Sequence, residues 1–235
     1  MPPELVAHRG ASALRPEHTL AAYELAIAQG ADGVECDVRL TRDGHLVCVH
    51  DRTIDRTSDG RGAVSAMSLE ELSRHDFGAK LGDGPAPLLT LVDLLELVAD
   101  SGVRLFVETK HPVRYRGEVE RRLAELLARH RVDALMMSFS PAAVRRFKAL
   151  APAVPTVLLF GRYWPQRLPP FADLAGPGVH LLRRQAGRGG GAYCWTVDEP
   201  ADIALCAERG VRFLATNNPA QTRGVLAANL TPDQP

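Results

Sequence analysis

The stretch Thr90-Leu91-Val92-Asp93-Leu94-Leu95-Glu96-Leu97-Val98-Ala99-Asp100-Ser101-Gly102-Val103-Arg104-Leu105-Phe106-Val107-Glu108-Thr109-Lys110 contains one complete helix-then-strand unit. Residues 90–100 place apolar side chains at helical spacing and open on Thr90 with Asp93 three positions on, a capping pattern. Gly102 stops that helix, and residues 103–108 form an apolar run of strand length. The run ends in Glu108-Thr109-Lys110, so an acid and an amine stand where the strand leaves its sheet.

The same alternation continues in both directions. Upstream, residues 5–8 are a short apolar run, and residues 20–29 show helical spacing with Gly30 behind them. Residues 33–40 and 45–50 are strand-like and are joined by Thr41-Arg42-Asp43-Gly44, a tight-turn signal. Downstream, residues 117–130 are an amphipathic helix and residues 134–139 a strand, followed by a helix opening on Ser140-Pro141. Strands are expected at 154–160, 192–197 and 211–215, with helices at 199–209 and 219–228. Residues 179–182 count as a further weak strand. The segment 181–191, rich in glycine and arginine, reads as a truncated helix or an irregular loop.

Repeated strand–helix units predict an α/β fold with a parallel sheet and helices outside it. Counting the early hairpin pair as one gives eight strand positions, which favours a closed (β/α)8 TIM barrel over an open doubly wound sheet. The expected organisation is a single domain over residues 1–235, with a small insertion after the second strand at residues 52–88. That insertion is polar, rich in glycine and proline, and holds one helix candidate with Ser68 and Glu71 at capping-box spacing. At 235 residues the chain is lean for a barrel of this kind, which typically takes about 250.

Lysine plus arginine and aspartate plus glutamate each total 28, so no net charge draws the chain to nucleic acid or acidic lipid. Only three of the basic residues are lysines, Lys80, Lys110 and Lys148. No apolar stretch approaches the roughly 18 residues of a membrane span, so stable membrane insertion is not expected. The N-terminal residues lack the marks of a signal peptide. Cys36, Cys48, Cys194 and Cys206 form no CxxC pair and sit in apolar runs, which predicts buried reduced thiols. The expected compartment is cytoplasmic.

In a barrel of this type the active face lies at the C-terminal ends of the strands. The first strand ends in His8-Arg9-Gly10, the second carries Glu35 and Asp37, and its extension ends in His50-Asp51. Side chains alternate along a strand, so Glu35 and Asp37 share one face while Cys36 takes the other, and Glu108 shares a face with Lys110. Pointed into the barrel mouth, Glu35, Asp37 and Glu108 crowd three carboxylates together, at a high desolvation cost unless a counter-charge is present. A hard divalent cation with oxygen ligands, Mg²⁺ or Ca²⁺ rather than zinc, relieves that cost.

Taken in order, several short words of the sequence resemble the glycerophosphodiester phosphodiesterase family. They are His8-Arg9-Gly10, Pro16-Glu17-His18-Thr19, Glu35-Cys36-Asp37-Val38 and Val49-His50-Asp51 with Arg56-Thr57. Further on come Pro87-Leu88-Leu89-Thr90-Leu91, Glu108-Thr109-Lys110 and Trp195-Thr196-Val197-Asp198, so the set spans nearly the whole chain. The resemblance implies metal-dependent hydrolysis of a small-molecule glycerophosphodiester to glycerol 3-phosphate and an alcohol. It implies that Glu35, Asp37 and Glu108 hold the metal, that His8 and His50 are the acid/base pair, and that Arg9 and Lys110 border the phosphate. In that order His8 is the acid toward the leaving alcohol and His50 the base. Trp195 then lines the glycerol side of the pocket, and Glu17 belongs to a pocket motif. The family's nucleophile is the substrate's own glycerol hydroxyl, giving a cyclic phosphate that water opens.

The chain departs from the family pattern in the segment before Trp195, and in Thr216-Asn217-Asn218, where an aspartate often follows the threonine; Asn217 carries no catalytic expectation. Tyr163 and Trp164, on a loop after the fifth strand, either line the pocket for the leaving alcohol or pack on the barrel rim. Two other enzyme readings use the same acids. A glycoside hydrolase would employ Glu35 or Asp37 with Glu108 but leaves His8, Arg9, His50 and Lys110 idle. A lysophospholipase D type activity would apply the same chemistry to longer lipids. A catalytically silent phosphate-binding barrel is the reading that is not an enzyme.

Overall fold

The computed structural model describes residues 2–80 and 84–230; Met1, residues 81–83 of the expected insertion and residues 231–235 lie outside the described residues. Strands β1 (Glu4–His8), β2 (Gly33–Leu40), β3 (Leu46–Cys48), β4 (Arg104–Thr109), β5 (Ala134–Ser138), β6 (Thr156–Phe160), β7 (Leu174–Pro177), β8 (Tyr193–Cys194) and β9 (Phe213–Thr216) form one sheet. Eight of them run parallel in the order β7-β6-β5-β4-β2-β1-β9-β8, and β3 pairs antiparallel with the far end of β2. The remaining seam is closed by a parallel bridge from Gly178 to Trp195. There the Trp195 amide donates to Pro177 O at 3.2 Å and the Val179 amide to Trp195 O at 2.7 Å. The result is a (β/α)8 barrel.

Helices α1 (Leu20–Ala28), α2 (Leu69–Leu72), α3 (Leu91–Ser101), α4 (Glu118–Arg129), α5 (Pro141–Leu150), α6 (Val179–Arg184), α7 (Pro200–Glu208) and α8 (Pro219–Leu230) follow in chain order. The caps legible in the sequence are made. Thr90 and Asp93 exchange side-chain and backbone hydrogen bonds at the start of α3, and Ser68 and Glu71 do the same at α2. Gly102 ends α3 in the left-handed conformation.

Strand alternation sorts the side chains into two cores. Val6, Phe106, Leu135, Met137, Val157, Leu159, Tyr193, Phe213 and Ala215 fill the barrel interior. Leu5, Ala7, Val34, Cys36, Val38, Leu105 and Val107 face the helices instead. Phe106 packs edge-on to Phe213 at 5.0 Å and tilted on Tyr193 at 5.4 Å, filling the barrel interior below its C-terminal mouth. All four cysteines are free and buried. Between β3 and α3 the insertion folds over a small core of its own, in which Ile54, Val64, Leu72 and Phe77 meet Val47 and Val49.

One strand expectation is corrected. Residues 179–182 are not a strand but the first turn of α6, and the strand of that unit is β7, Leu174–Pro177. A short segment with three apolar residues fits either state, and here Leu181 and Leu182, three and four residues after Gly178, are the buried ones. The true strand is hidden by its composition, Leu-Ala-Gly-Pro. Gly176 is needed there because a Cβ would lie 2.6 Å from Leu159 Cδ2 and 2.9 Å from Val157 Cγ1. The run expected over 192–197 contributes only the short β8 and the Trp195 bridge. No described helix joins β6 to β7.

Gly176→Ala should therefore destabilise the chain by about 1–3 kcal/mol, the usual cost of overpacking a dense core. Thermal melts measure it; an unchanged melting temperature would mean that the barrel wall has slack at this point.

Candidate active site

The site begins where β1 ends. Arg9 takes φ 61° and Gly10 φ 82°, folding the chain back over the start of α1. A Cβ at Gly10 would lie 2.7 Å from the Ala22 backbone, so only glycine fits this return. His18 also has φ 61°, and its amide donates to Arg9 O at 3.1 Å. Two non-glycine residues held in the left-handed region within one loop are a local cost that the surrounding contacts must hold in place.

Register then sets the neighbours. His8 lies beside Glu35, and Asp37 beside Glu108. Ligand oxygens of Glu35, Asp37 and Glu108 lie within 4.8 Å of one another, and all three residues are buried. Lys110 Nζ reaches Glu108 Oε1 at 2.7 Å and Asp37 Oδ1 at 3.1 Å. Arg9 Nε stands 3.1 Å from Asp37 Oδ2, and the Arg9 amide donates to Glu35 Oε2 at 3.1 Å. His18 Nε2 is 2.9 Å from Asp37 Oδ2, while its Nδ1 is 2.8 Å from the Tyr23 hydroxyl.

These surroundings treat the carboxylates unequally. Burial pushes Glu35 well above the usual carboxylate range, and the charges of Asp37 and Glu108 add to it. Glu108 is pushed up to about 7 by burial and by Asp37. Burial also acts upward on Asp37, but the His18 hydrogen bond and the charges of Lys110 and Arg9 outweigh it and hold its carboxyl well below that range. The neighbouring cations thus outweigh burial at Asp37 but not at Glu35 or Glu108. The buried Asp37 Oδ1, although close to Lys110, makes no hydrogen bond of proper geometry. An all-oxygen donor set with a surplus of negative charge fits a hard divalent cation.

The two imidazoles have different partners. His8 Nδ1 is 2.8 Å from Asn217 Oδ1, whereas His50 Nδ1 is 2.7 Å from Asp51 Oδ1. Burial and the Arg9 charge lower His8 to about 4, and burial lowers His50 as well. His8, Arg9, Glu35, His50, Glu108 and Lys110 line one side of a cavity of about 150 Å³. Met137, Phe139, Leu159 and Trp195 form its apolar wall, with Phe139 edge-on to Trp195 at 5.1 Å and Trp195 Nε1 donating to Gly176 O at 2.9 Å.

Of the nine residues to which the resemblance gives a role, Glu17 and Asp37 do not line this cavity. Asp37 sits in the triad beneath it. Glu17 stands behind Arg9, 3.2 Å from its guanidinium, and takes two bonds from Arg56 of the insertion at 2.7 and 2.8 Å. Burial raises the Glu17 carboxyl, but Arg56 and Arg9 bring it down to about 2, so it stands as an anion between the two guanidiniums. Tyr163 is exposed, and Trp164 packs on Phe160 at 5.5 Å; both belong to the rim. Sequence reading assigned nothing to Asn217, Asp198, Asp51, His18 or Phe139. All but Phe139 fall within the quoted motif words or the final strand end, so their positions were visible while their partners were not.

A model of the glycerophosphoryl diester phosphodiesterase family matches residues 8–221. The chain belongs to that family. It is 49% identical over 255 residues to the probable glycerophosphodiester phosphodiesterase 1 of Mycobacterium tuberculosis, covering 95% of this chain and 92% of that protein. A glycerophosphodiester phosphodiesterase of Caldanaerobacter subterraneus is 33% identical over 92% of this chain and 94% of its own length. Among solved structures, a phosphodiesterase of Oleispira antarctica in complex with the product sn-glycerol-3-phosphate superposes with a TM-score of 0.87 at 26% identity. That match covers 96% of this chain and 97% of that one. With this membership the motif words acquire one common frame, the mouth of a phosphodiesterase-family barrel.

Cation binding at the triad must displace the proton that Glu108 carries below about pH 7. Affinity for Mg²⁺ or Ca²⁺, measured by calorimetry, should therefore weaken as pH falls through that value, and binding near it should release protons. Glu35→Gln, Asp37→Asn and Glu108→Gln should each weaken binding. An affinity that ignores both pH and these substitutions would place the cation elsewhere.

Proposed function

We propose that this chain hydrolyses glycerophosphodiesters to glycerol 3-phosphate and an alcohol, at a divalent cation held by Glu35, Asp37 and Glu108. The observation that carries the reading is the convergence on one cavity of the oxygen triad, two cationic side chains and two differently anchored imidazoles. Against three carboxylates, Arg9 and Lys110 leave one negative charge. A bound dication converts this to one positive charge, which a singly charged phosphodiester balances. When bound, the cation supplies charge neutralisation and Lewis-acid activation at the phosphoryl group.

The remaining work falls to side chains. Arg9, oriented by Glu17, presents a planar fork suited to phosphate oxygens, and Lys110 a compact charge beside the triad. Trp195 and Phe139 give the carbon backbone of a glycerol moiety an apolar wall. One imidazole takes the proton from the attacking glycerol hydroxyl as its oxygen bonds to phosphorus; the other gives a proton to the alkoxide that leaves. Water then opens the cyclic phosphate with the roles exchanged. The partners of the two rings favour His8 as the first base and His50 as the first acid, the reverse of the order the resemblance implies. A neutral amide backs His8, while the Asp51 carboxylate stabilises the charged form of His50. The product held in the Oleispira antarctica structure supports the substrate class.

Glycerophosphocholine incubated with the chain should yield glycerol 3-phosphate, detected enzymatically, and exhaustive chelation should stop the reaction until Mg²⁺ or Ca²⁺ is restored. Turnover that survives chelation would overturn the reading.

Lys110→Met tests the phosphate side separately, because it deletes a charge while keeping much of the stem. Metal binding should be at least as tight as in the unaltered chain, since a cation competing for Glu108 and Asp37 is gone. The catalytic efficiency kcat/KM should still fall by an amount equivalent to about 2–4 kcal/mol, the scale of one oriented electrostatic donor. An unchanged kcat/KM would make Lys110 a structural counter-ion only.

A further inference from the structure

We infer that Asp198 and Asn217 are positioning residues that impose one tautomer on His8, with the proton on Nδ1 and the lone pair on Nε2. The relay starts at Asp198, on the loop after β8. Its carboxylate is acceptor-only and receives three donors: Thr216 Oγ1 at 2.9 Å and the Asn217 amide at 2.7 Å on Oδ1, and Asn217 Nδ2 at 2.6 Å on Oδ2. The third bond decides the orientation of the Asn217 side chain. With Nδ2 turned to Asp198, Oδ1 must face the other way, toward His8 Nδ1 at 2.8 Å.

A carbonyl oxygen cannot donate, so the bond exists only if His8 carries its proton on Nδ1. The neutral ring is then left with a lone pair on Nε2, for which no described residue provides a partner. Supporting contacts hold each member. The Ser12 hydroxyl sits 2.9 Å from Asn217 Oδ1 and 2.8 Å from His8 O, and Thr222 Oγ1 donates to Thr216 Oγ1 at 2.9 Å. The relay spans the ends of β1, β8 and β9, and these polar contacts are poorly explained by packing alone. Its consequence for the reaction rests on the reading of His8 as a proton-transfer group; the tautomer itself does not.

Two isosteric variants separate this from a structural role. In Asp198→Asn the new side chain still accepts the Thr216 and Asn217 amide donors on its oxygen, but offers an amino group where Oδ2 was. Asn217 then turns over, presents Nδ2 to His8, and the His8 proton moves to Nε2. The paired exchange D198N/N217D restores an acceptor opposite His8 while keeping every bond of the relay. The His8 tautomer is read from ¹⁵N NMR of histidine-labelled protein with Mg²⁺ present, assigned by difference with His8→Gln; kcat and KM for glycerophosphocholine are measured alongside thermal melts.

The unaltered chain should show the Nδ1 proton, D198N the Nε2 proton, and the paired exchange the Nδ1 proton again. D198N should lose kcat by at least about tenfold, within the scale of a positioned base, at nearly constant KM. The paired exchange should recover most of that loss. An Nε2 proton in the unaltered chain, or an unchanged tautomer in folded D198N, overturns the inference whatever the activity. A switched tautomer with unchanged kcat overturns its catalytic consequence. Absence of turnover in the unaltered chain with the Nδ1 tautomer intact would count against the proposed activity and leave the positioning assignment standing.

Discussion

Three carboxylates held within 4.8 Å of one another in a buried barrel mouth are the constraint around which the rest of the site is built. Strand geometry forces the crowding: Glu35 and Asp37 are two apart on β2, and Glu108 lies beside Asp37 on β4. Burial raises the cost of each charge, so the neighbours must be cationic or hydrogen-bonding. Arg9 supplies a guanidinium only because its backbone accepts a left-handed turn that brings its amide onto Glu35 and its side chain onto Asp37. Lys110, two residues beyond Glu108, returns to the same oxygens. The outcome is selective. Asp37 gathers most of the favourable contacts, which hold its carboxyl low, while burial and the neighbouring carboxylates push Glu35 and Glu108 up.

Around this centre Arg56, from the segment between β3 and α3, ties two parts of the site together. Arg56 binds Glu17, which orients Arg9, and also Asp51, which orients His50, at 2.6 Å. One side chain from outside the barrel thereby connects Arg9, through Glu17, to one of the two imidazoles, through Asp51. On the opposite side, the relay from Asp198 through Asn217 performs the equivalent service for His8. The two histidines share a residue type but differ in what stands behind them, a carboxylate for one and an amide for the other.

Sequence reading reached the parts of this arrangement that depend on local periodicity. The carboxylates followed from i, i+2 spacing on strands, the caps of α2 and α3 from Ser68-x-x-Glu71 and Thr90-x-x-Asp93, and the hairpin from Asp43-Gly44. The residues it missed are defined by partners far away in the chain. Asn217 matters because it meets His8, 209 positions earlier, and His18 because it meets Asp37. Such pairings belong to the closure of the barrel and have no period to reveal them. β7 was missed for a different reason. Leu-Ala-Gly-Pro lacks the branched residues that mark a strand, and its glycine is dictated by the Leu159 and Val157 side chains of the neighbouring strand.

The segment before Trp195 is one of two places where the chain departs from the family pattern. Its effect on the site can be traced. The helix is reduced to the six residues of α6, and the glycines after it make the return to β8 without regular structure. The shortening is absorbed on the outer face. On the inner side the backbone of Trp195 still bridges to Gly178, its indole still bonds Gly176 O, and its ring still meets Phe139 at the cavity. Gly178 and Trp195 are also the residues through which the barrel closes. A loss here deep enough to remove the pocket wall would open the seam between β7 and β8, and the seam is closed. The irregular segment therefore leaves both the barrel closure and the Trp195–Phe139 wall of the cavity in place.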